Sequence, residues 1–248
     1  MPPRFSIITC TWNSQPWLAE SIASVLQQQG PAFEMIFVDG GSTDNTLEQI
    51  AAIKRPVKLI RNVRNGISDA MNQGLAAASG EIIAHLHSDD FYLRPTVLSL
   101  VDQYMRDSHC RWLFGRTQRA INGQLLPEGW TAPPFSRQRL LRGNFIPHPA
   151  TFVERDLMIA LGGFDTRLRY AMDYDLWLRI AALARPMQLS IPLAAFREHA
   201  GSLSTCNRLA AMHEDLQVRL RHATANPLGR ALHVARYLVR RQRARQFI

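Results

Sequence analysis

The chain has 248 residues, 46% of them hydrophobic, which is enough for one substantial domain with a packed core. A net charge of +9 favours an anionic partner, such as a nucleotide, a nucleic acid or an acidic lipid. The three cysteines lack the paired spacing of a zinc site or a disulfide scaffold and favour a reducing compartment. We find no signal peptide and no apolar run approaching the roughly 18 residues of a membrane span, and we expect a cytoplasmic protein.

Short apolar strands alternate with helix-length segments through the first half of the chain. This alternation predicts right-handed βαβ crossovers, and therefore an α/β fold with a mainly parallel, Rossmann-like sheet flanked by helices. In chain order, the predicted elements are strand 5–11, helix 16–29, strand 33–41, helix 46–53, strand 57–62, helix 67–78 and strand 81–87.

The second half is less regular. A hairpin is predicted to turn at Asn122-Gly123. Apolar residues at helical spacing then predict a helix over 173–184, with Trp177 in the core, and a strand is expected over 186–196. From Asn207 the pattern is helical and arginine-rich, with a break at Asn226-Pro227.

Polar residues follow the predicted strands at the positions where ligands bind to open α/β sheets. They include Thr9, Thr11, Asp39 and the group Ser88-Asp89-Asp90. Two carboxylates at a strand end suit Mg²⁺ or Mn²⁺ bridged to a diphosphate. The alternative is that Ser88 or Asp90 caps the next helix, near Pro95.

Four segments together resemble one family: FSIITCTWN, FVDGGSTDNT, NGISDAMNQGLAAASGEIIAHLHSDD and GGFDTRLRYAMDYDLWLRI. In order and separation they are similar to family 2 glycosyltransferases of the A-type fold, over about residues 4–205. The resemblance implies a metal-dependent, inverting glycosyltransferase that uses Mn²⁺ or Mg²⁺. It also implies a nucleotide-diphosphate sugar donor and a glycan or lipid-linked acceptor. Relatives of this kind act in bacterial envelope or exopolysaccharide synthesis.

The resemblance also assigns roles to individual residues. Asp90 is the expected direct metal ligand, and His199 matches a histidine that completes the metal or diphosphate site. The aspartate-x-aspartate motif that is usual in the family reads Ser88-Asp89-Asp90 here, so its first position carries no charge. The residues expected at the donor are Thr9, Thr11, Asp39, Asp69, Ser88, Asp89 and His148. For His148 a structural role, and for His199 a surface-loop role, are the alternatives.

Asp173 corresponds to the catalytic base of the family, although the acid that usually precedes it is Met172 here. The alternative is that Asp173 only caps the helix that follows. Asp175 is the competing carboxylate, and we expect it to be structural.

The last segment, 206–248, is predicted to be a basic helical extension of a catalytic domain over 1–205. From Asn207 onward there are nine arginines and two acids. An apolar stripe including Leu232, Leu238 and Val239 suits an anionic membrane surface, and therefore a peripheral protein on the inner face of the plasma membrane. A docked helix with a solvated face is the alternative.

Three other classes of protein are alternatives to a glycosyltransferase. A nucleic-acid-binding protein would also carry a basic tail, but no recognition motif accompanies the charge. A nucleotidyltransferase shares this type of sheet but needs a glycine-rich N-terminal loop that is absent. A noncatalytic nucleotide-sugar binder would be favoured by loss of Asp173, which is present.

Overall fold

The computed structural model describes residues 2–127, 132–199, 201, 207–223 and 227–245. The strands are β1 (Phe5–Thr11), β2 (Phe33–Asp39), β3 (Lys58–Ile60), β4 (Ile82–His85), β5 (Phe91–Tyr92), β6 (Trp112–Ile121), β7 (Gln124–Leu125), β8 (Thr151–Glu154) and β9 (Met187–Glu198). The helices are α1 (Gln15–Leu26), α2 (Thr46–Ala51), α3 (Ile67–Ala77), α4 (Val97–Ser108), α5 (Arg137–Leu140), α6 (Arg155–Ala160), α7 (Met172–Leu183), α8 (Arg208–His222) and α9 (Pro227–Arg245). A 3₁₀ turn over His148–Ala150 precedes β8.

The described strands form one sheet in the order β3-β2-β1-β4-β8-β6-β9-β5, with β7 paired to β6. The four N-terminal strands pair in parallel, as the βαβ alternation predicts. Beyond β4 the sheet is mixed, because β8 runs antiparallel between β4 and β6. The prediction of a parallel sheet is therefore confirmed for the first half of the chain, where helices connect the strands.

The predicted hairpin is confirmed between β6 and β7. Asn122 and Gly123 both have positive φ values, of 50° and 76°, which match the primed turns that suit the twist of a two-residue hairpin. The predicted helix over 173–184 and strand over 186–196 correspond to α7 and β9.

Apolar side chains cover both faces of the sheet. Alternation along β1 sends Ile8 into one hydrophobic cluster, and Phe5 and Ile7 into the other. Trp177 of α7 is buried and its ring stacks on that of Trp112 at 6.0 Å, so the prediction that it belongs to the core is confirmed.

Helix α3 lies especially close to the sheet because of Gly74. A Cβ atom at this position would lie 2.4 Å from Cγ2 of Ile8 on β1, so only glycine allows the observed approach. The close packing fixes the start of α3, where Asp69 lies, relative to the ends of the parallel strands.

The C-terminal helices pack against the rest of the protein in sequence. Helix α8 contributes the buried side chain of Val218 to the core cluster that contains α7, and α9 packs on α8. The predicted boundary between residues 205 and 206 lies outside the described residues. In the described part of the chain, no helix combines the length and apolarity that crossing a membrane requires.

Candidate active site

The strand directions bring the predicted site residues to one edge of the sheet. β1, β2 and β4 are parallel, and β9 is parallel to β6, while β8 is antiparallel to both β4 and β6. The ends of β1, β2, β4 and β9 therefore lie at the same edge as the start of β8. Thr11, Asp39, Asp89, His148 and His199 all lie on or next to these strand ends.

Asp39 is completely buried at the end of β2, and its carboxylate accepts four hydrogen bonds. Oδ2 accepts from the hydroxyls of Thr11, at 3.0 Å, and Ser42, at 2.5 Å, and Oδ1 accepts from the backbone N–H groups of Gly41 and Ser42, both at 2.9 Å. Burial raises the pKa of Asp39, but the bonds from Ser42, Gly41 and Thr11 outweigh it and the net pKa is lowered. Four bonds about fill the acceptor capacity of a carboxylate. Asp39 therefore organises the turn after β2.

The loops after β1 and β2 are bound to each other by further hydrogen bonds. The backbone N–H of Asn13 donates to Oγ of Ser42 at 2.9 Å, and the N–H of Thr43 donates to Oδ1 of Asn13 at 2.9 Å. Next to them Trp12 is 73% exposed and lies against Gly40. Sequence reasoning missed Trp12, although it directly follows the strand that ends in Thr11.

The other predicted donor residues occupy different environments at this edge. Thr9 is buried in β1, two residues before Thr11 and on the same face of the strand. Asp69 lies in the first turn of α3, where its Oδ2 accepts a hydrogen bond from Nε2 of Gln73 at 2.9 Å. Ser88 is partly exposed in the loop after β4.

The acidic loop after β4 contacts the end of β9. Nε2 of His199 lies 3.1 Å from Oδ2 of Asp89, whereas Asp90 is buried and its Oδ1 accepts a hydrogen bond from the backbone N–H of Arg197 at 3.0 Å. The structure thus pairs His199 with Asp89 and not with Asp90. Neither Ser88 nor Asp90 caps a helix, because the N-cap of α4 is Thr96, and the capping alternative is wrong.

Burial raises the pKa of Asp90 well above its ordinary value, and the neighbouring Asp89 carboxylate raises it further. The backbone N–H and the positive charge of Arg197 oppose this rise. Asp90 therefore lies in a place where an isolated negative charge is unfavourable.

Arg197 is a buried cation that sequence reasoning missed. Its Nε donates to the backbone carbonyl of Asp89 at 3.0 Å, and its Nη2 forms an ion pair with Glu20. The guanidinium carbon lies 4.5 Å from the ring centroid of Trp17 and 5.2 Å from that of Phe91. Arg197 thus fixes the acidic loop to α1 and β9. Arg197 follows the apolar run 193–196 of β9, but no local pattern in the sequence indicates that its side chain is buried.

Three histidine rings lie side by side between the acidic loop and α7. The ring of His148 is 5.4 Å from that of His85 and 5.0 Å from that of His87, and it also contacts Trp177 at 5.8 Å. Burial, together with the neighbouring histidines, lowers the pKa of His148 well below its ordinary value, so the ring is neutral. Among the described residues, Nε2 of His148 has no hydrogen-bond partner. His148 therefore contacts both the loop after β4, through His87, and α7, through Trp177. We call the region from the loop after β2 to the start of α7 the cleft.

Asp173 lies in the first turn of α7 and is partly buried. Its Oδ1 accepts from the backbone N–H of Tyr174 at 2.6 Å, and its Oδ2 accepts from Nδ2 of Asn144 at 3.1 Å. Burial raises the pKa of Asp173 to about 7, and the charge of Asp215 adds to the rise, whereas the two hydrogen bonds oppose it. The N-cap of α7 is Ala171, so the capping alternative for Asp173 is wrong.

The start of α7 is held by Glu214 of α8, which sequence reasoning also missed. Its carboxylate accepts hydrogen bonds from the backbone N–H groups of Arg169, Tyr170 and Ala171, at 2.6 to 3.0 Å. An acid is favourable at a helix N-terminus because it satisfies free N–H groups and faces the positive end of the helix dipole. Helix α8 therefore positions the end of α7 that carries Asp173.

Asp175 is fully buried in a network of ion pairs. Its Oδ1 lies 2.8 Å from Nε2 of His222 and 3.2 Å from Nη1 of Arg221, and its Oδ2 lies 2.8 Å from Nε of Arg179. Burial raises its pKa, but the bonds and charges of His222 and Arg179 outweigh it, and the net pKa is lowered. Asp175 thus connects α7 to α8, as expected for the structural member of the pair.

An α/β fold with acidic side chains at one sheet edge is the architecture of the A-type glycosyltransferases. Residues 6–150 match the family described as glycosyl transferase family 2, and the chain belongs to that family. It is 30% identical over 189 residues to the chondroitin synthase of Pasteurella multocida (strain Pm70), covering 74% of this chain but only 19% of the synthase. It is also 30% identical over 227 residues to a PGL/p-HBAD biosynthesis glycosyltransferase of Mycobacterium bovis (strain BCG / Pasteur 1173P2), covering 82% of this chain and 80% of that protein.

Solved structures confirm the predicted fold class. The TarS 1–349 structure from S. aureus in complex with UDP-GlcNAc superposes with a TM-score of 0.73 at 22% identity, covering 95% of this chain and 71% of that one. The mannosyltransferase PcManGT from Pyrobaculum calidifontis, in complex with GDP-Man and Mn²⁺, gives a TM-score of 0.64 at 19% identity, covering 96% of this chain and 70% of that one.

Proposed function

We propose that this glycosyltransferase moves a sugar from a nucleotide-diphosphate sugar to an acceptor hydroxyl, with inversion at the anomeric carbon. The observation that carries the proposal is Asp173, a carboxylate with a pKa of about 7 in the first turn of α7. Trp177 of the same helix contacts His148, which contacts His87 beside the acidic loop. A base is most effective when its pKa lies near the working pH, because it is then both deprotonated and able to hold a proton. The nucleotide sugars bound by TarS and PcManGT support this class of donor.

The nucleoside of the donor is proposed to lie over the loops after β1 and β2. The turn there has a fixed shape because Asp39 holds it, and Trp12 offers an exposed aromatic face beside it. Aromatic faces stack on nucleobases with little preference for the base. Thr9, Thr11 and Asp69 are proposed to line the same part of the cleft.

Asp89 and His199 are proposed to hold Mn²⁺ or Mg²⁺, and the mannosyltransferase complex with Mn²⁺ supports the use of such a cation. Oδ2 of Asp89 and Nε2 of His199 lie 3.1 Å apart, close enough for both to bind one cation. The carboxylate is the type of ligand that suits Mg²⁺ and Mn²⁺. No group of three or more potential metal ligands occurs among the described residues, which fits a site completed by diphosphate oxygens and water. When bound, the cation offsets the negative charge that develops on the departing diphosphate. In this proposal Asp90 supports the loop beside the site.

The reaction is proposed to be a single displacement. Oδ1 or Oδ2 of Asp173 accepts the proton of the acceptor hydroxyl as its oxygen forms a bond to the anomeric carbon. The bond from that carbon to the diphosphate breaks on the opposite side, which inverts the configuration. Asn144 and the N–H of Tyr174 hold the carboxylate in place throughout.

The acceptor is proposed to be a glycan or a lipid-linked glycan of the cell envelope or an exopolysaccharide. Support comes from relatives named for chondroitin synthesis and for PGL/p-HBAD biosynthesis. A cytoplasmic location, where nucleotide sugars are made, accords with the predicted reducing environment of the three cysteines.

Thermal unfolding with UDP or GDP, with and without Mn²⁺, tests the donor and metal sites together. We expect one nucleotide to raise the melting temperature modestly alone and further with Mn²⁺, because a ligand that binds only the folded state stabilises it. Asp89→Asn and His199→Gln should lose the Mn²⁺-dependent part. Asp156→Asn, which changes an 84% exposed carboxylate on α6, is the matched control and should keep the whole shift.

The variant Asp90→Asn distinguishes between Asp89 and Asp90 as the carboxylate that binds the metal. If Asp90→Asn removes the Mn²⁺-dependent shift while Asp89→Asn keeps it, the ligand is Asp90, as the family resemblance implies. Equal shifts with and without Mn²⁺ in the unmodified protein would contradict metal dependence.

A further inference from the structure

Helix α9 has one face packed against the protein and an opposite face exposed. On the packed face Tyr237 is 7% exposed and its ring lies 6.1 Å from that of His213 on α8, and Ala244 is 3% exposed. Arg230 anchors the beginning of the helix by donating from Nη1 to the backbone carbonyl of Leu220 at 2.7 Å. The helix therefore has a defined orientation on α8.

The exposed face of α9 is apolar. Leu232, Leu238 and Val239 are 50%, 53% and 51% exposed, and Ala231 and Ala235 lie on the same side. A helix that served only to cover the domain would bury this stripe and turn its charges outward, as amphipathic surface helices do. In α9 the apolar stripe faces outward together with exposed arginines such as Arg240 and Arg243, so packing on α8 alone does not explain the stripe.

The charges around the stripe are all positive. Helix α9 contains no acidic residue, and Arg236, Arg240 and Arg243 flank the apolar side chains. The adjoining segment at α5 adds three exposed arginines, Arg137, Arg139 and Arg142. An apolar surface whose bordering charges are all positive matches a layer of anionic lipid, whose head groups are negative above an apolar interior.

This surface borders the segment that holds the proposed base. Nη1 of Arg240 lies 3.6 Å from where a Cβ of Gly143 would be, and the next residue, Asn144, donates its hydrogen bond to Asp173. Helix α8, on which α9 packs, also holds the start of α7 through Glu214. Through Arg240 and Glu214, helices α9 and α8 thus lie next to both segments that hold Asp173.

We propose that the exposed face of α9 rests on an anionic bilayer and that this contact brings Asp173 to the membrane surface. The acceptor is then an amphiphile whose hydroxyl-bearing head group projects from that bilayer. The statement about the acceptor depends on the proposed transferase function, whereas the membrane contact does not.

Sedimentation with lipid vesicles tests the contact on the full chain. The probes are vesicles of phosphatidylcholine mixed with phosphatidylglycerol, and vesicles of phosphatidylcholine alone. We expect binding to the anionic vesicles and much weaker binding to the neutral ones. The double variant Leu232→Gln/Val239→Gln should bind the anionic vesicles at least about tenfold more weakly, because two apolar side chains no longer enter the lipid. Arg236→Gln and Arg243→Gln should each weaken binding about fivefold.

Ile159→Gln is the matched control, because Ile159 is 51% exposed on α6, outside the stripe and outside residues 137–144. It should bind vesicles like the unmodified chain. Every variant should also keep the nucleotide-dependent thermal shift, which shows that the fold and the donor site are intact. A chain that shows the nucleotide shift but no vesicle binding would overturn the membrane contact alone. Vesicle binding without any nucleotide shift would overturn the proposed function and leave the contact standing.

Amide hydrogen exchange tests the orientation directly. Anionic vesicles should slow exchange in α9 and in residues 137–144, while exchange in α6 stays unchanged. Slower exchange in α9 alone would overturn the placement of Asp173 at the membrane. If Leu232→Gln/Val239→Gln instead converts a dimer into a monomer and vesicle binding is absent, a second copy of the chain covers the stripe and the proposal is wrong.

Discussion

The two ends of the cleft use the same side-chain type in opposite ways. At the donor end, Asp39 accepts four hydrogen bonds, and its net pKa is lowered. At the acceptor end, Asp173 accepts one hydrogen bond on each oxygen, and its pKa is raised to about 7. Burial raises the pKa of both carboxylates, but at Asp39 the hydrogen bonds from Ser42, Gly41 and Thr11 outweigh it. At Asp173 burial prevails over the bonds from Tyr174 and Asn144, and the charge of Asp215 adds to the rise.

This contrast separates positioning from proton transfer. A carboxylate whose acceptor sites are filled by fixed donors holds its loop but has little capacity left for a substrate proton. A partly buried carboxylate with few hydrogen-bond donors around it is unfavourable in its charged form, and it is stabilised when it accepts a proton. Asp39 fits the first description and Asp173 the second.

The largest expected effect is on turnover in Asp173→Asn. The amide has nearly the same shape but cannot accept the proton of the acceptor, and general-base catalysis is typically worth about 10² to 10⁴ in rate. The rate of sugar transfer should fall by that factor, while the thermal shift by nucleotide and Mn²⁺ remains. The measurement is single-turnover transfer from the donor sugar that the thermal screen identifies.

Asp175→Asn is the control on the same helix. It should keep turnover at temperatures where the protein stays folded, because Asp175 faces Arg179, Arg221 and His222 and not the cleft. If Asp175→Asn loses turnover and Asp173→Asn keeps it, the base has been assigned to the wrong carboxylate. Loss of nucleotide binding in Asp173→Asn would instead place this residue in the donor site.

Much of the fold could be predicted because its signals are local. The alternation of strands and helices predicts the parallel half of the sheet, and Asn122-Gly123 predicts the hairpin. The insertion of β8 between β4 and β6 could not be predicted, because it depends on pairing between strands far apart in the sequence.

The candidate site also has features that the sequence predicts and features that it does not. The sequence places Asp89 and Asp173 near their strand or helix ends, but it carries no information on which groups face them. The pairing of His199 with Asp89, the ion pair of buried Arg197 with Glu20, and the hold of Glu214 on α7 each join segments separated by many residues. Burial of a charged residue also cannot be read from local pattern, which is why Arg197 was missed.

The dependence of turnover on pH tests the raised pKa of Asp173 and is expected to be smaller than the effect of removing it. Only the deprotonated carboxylate accepts a proton, so kcat/KM should rise about tenfold per pH unit up to about 7 and then level off. Asp215→Asn should shift the rising part of this pH profile to lower pH, because the charge of Asp215 helps to raise the pKa of Asp173. A profile already level at pH 5 would show that Asp173 is an ordinary exposed acid or is not the base.

The smallest expected effect, in Asp39→Asn, is on stability and not on chemistry. The amide NH₂ group must face at least one of the donors that Asp39 now accepts from, so we expect the free energy of unfolding to fall by about 1 to 3 kcal/mol. The pKa of Asp39 is lowered on folding from an ordinary value of 3.8, so its carboxylate stabilises the fold above that pH and loses this effect as the pH falls through the folded pKa. Denaturant unfolding of both forms should therefore show a gap at pH 7 that narrows in acid. Asp173→Asn should show no such loss at pH 8, since the raised pKa of Asp173 means that its anion opposes folding there. If Asp39→Asn matches the unmodified protein in stability but loses nucleotide binding, then Asp39 contacts the donor directly and the distinction between the two ends of the cleft fails.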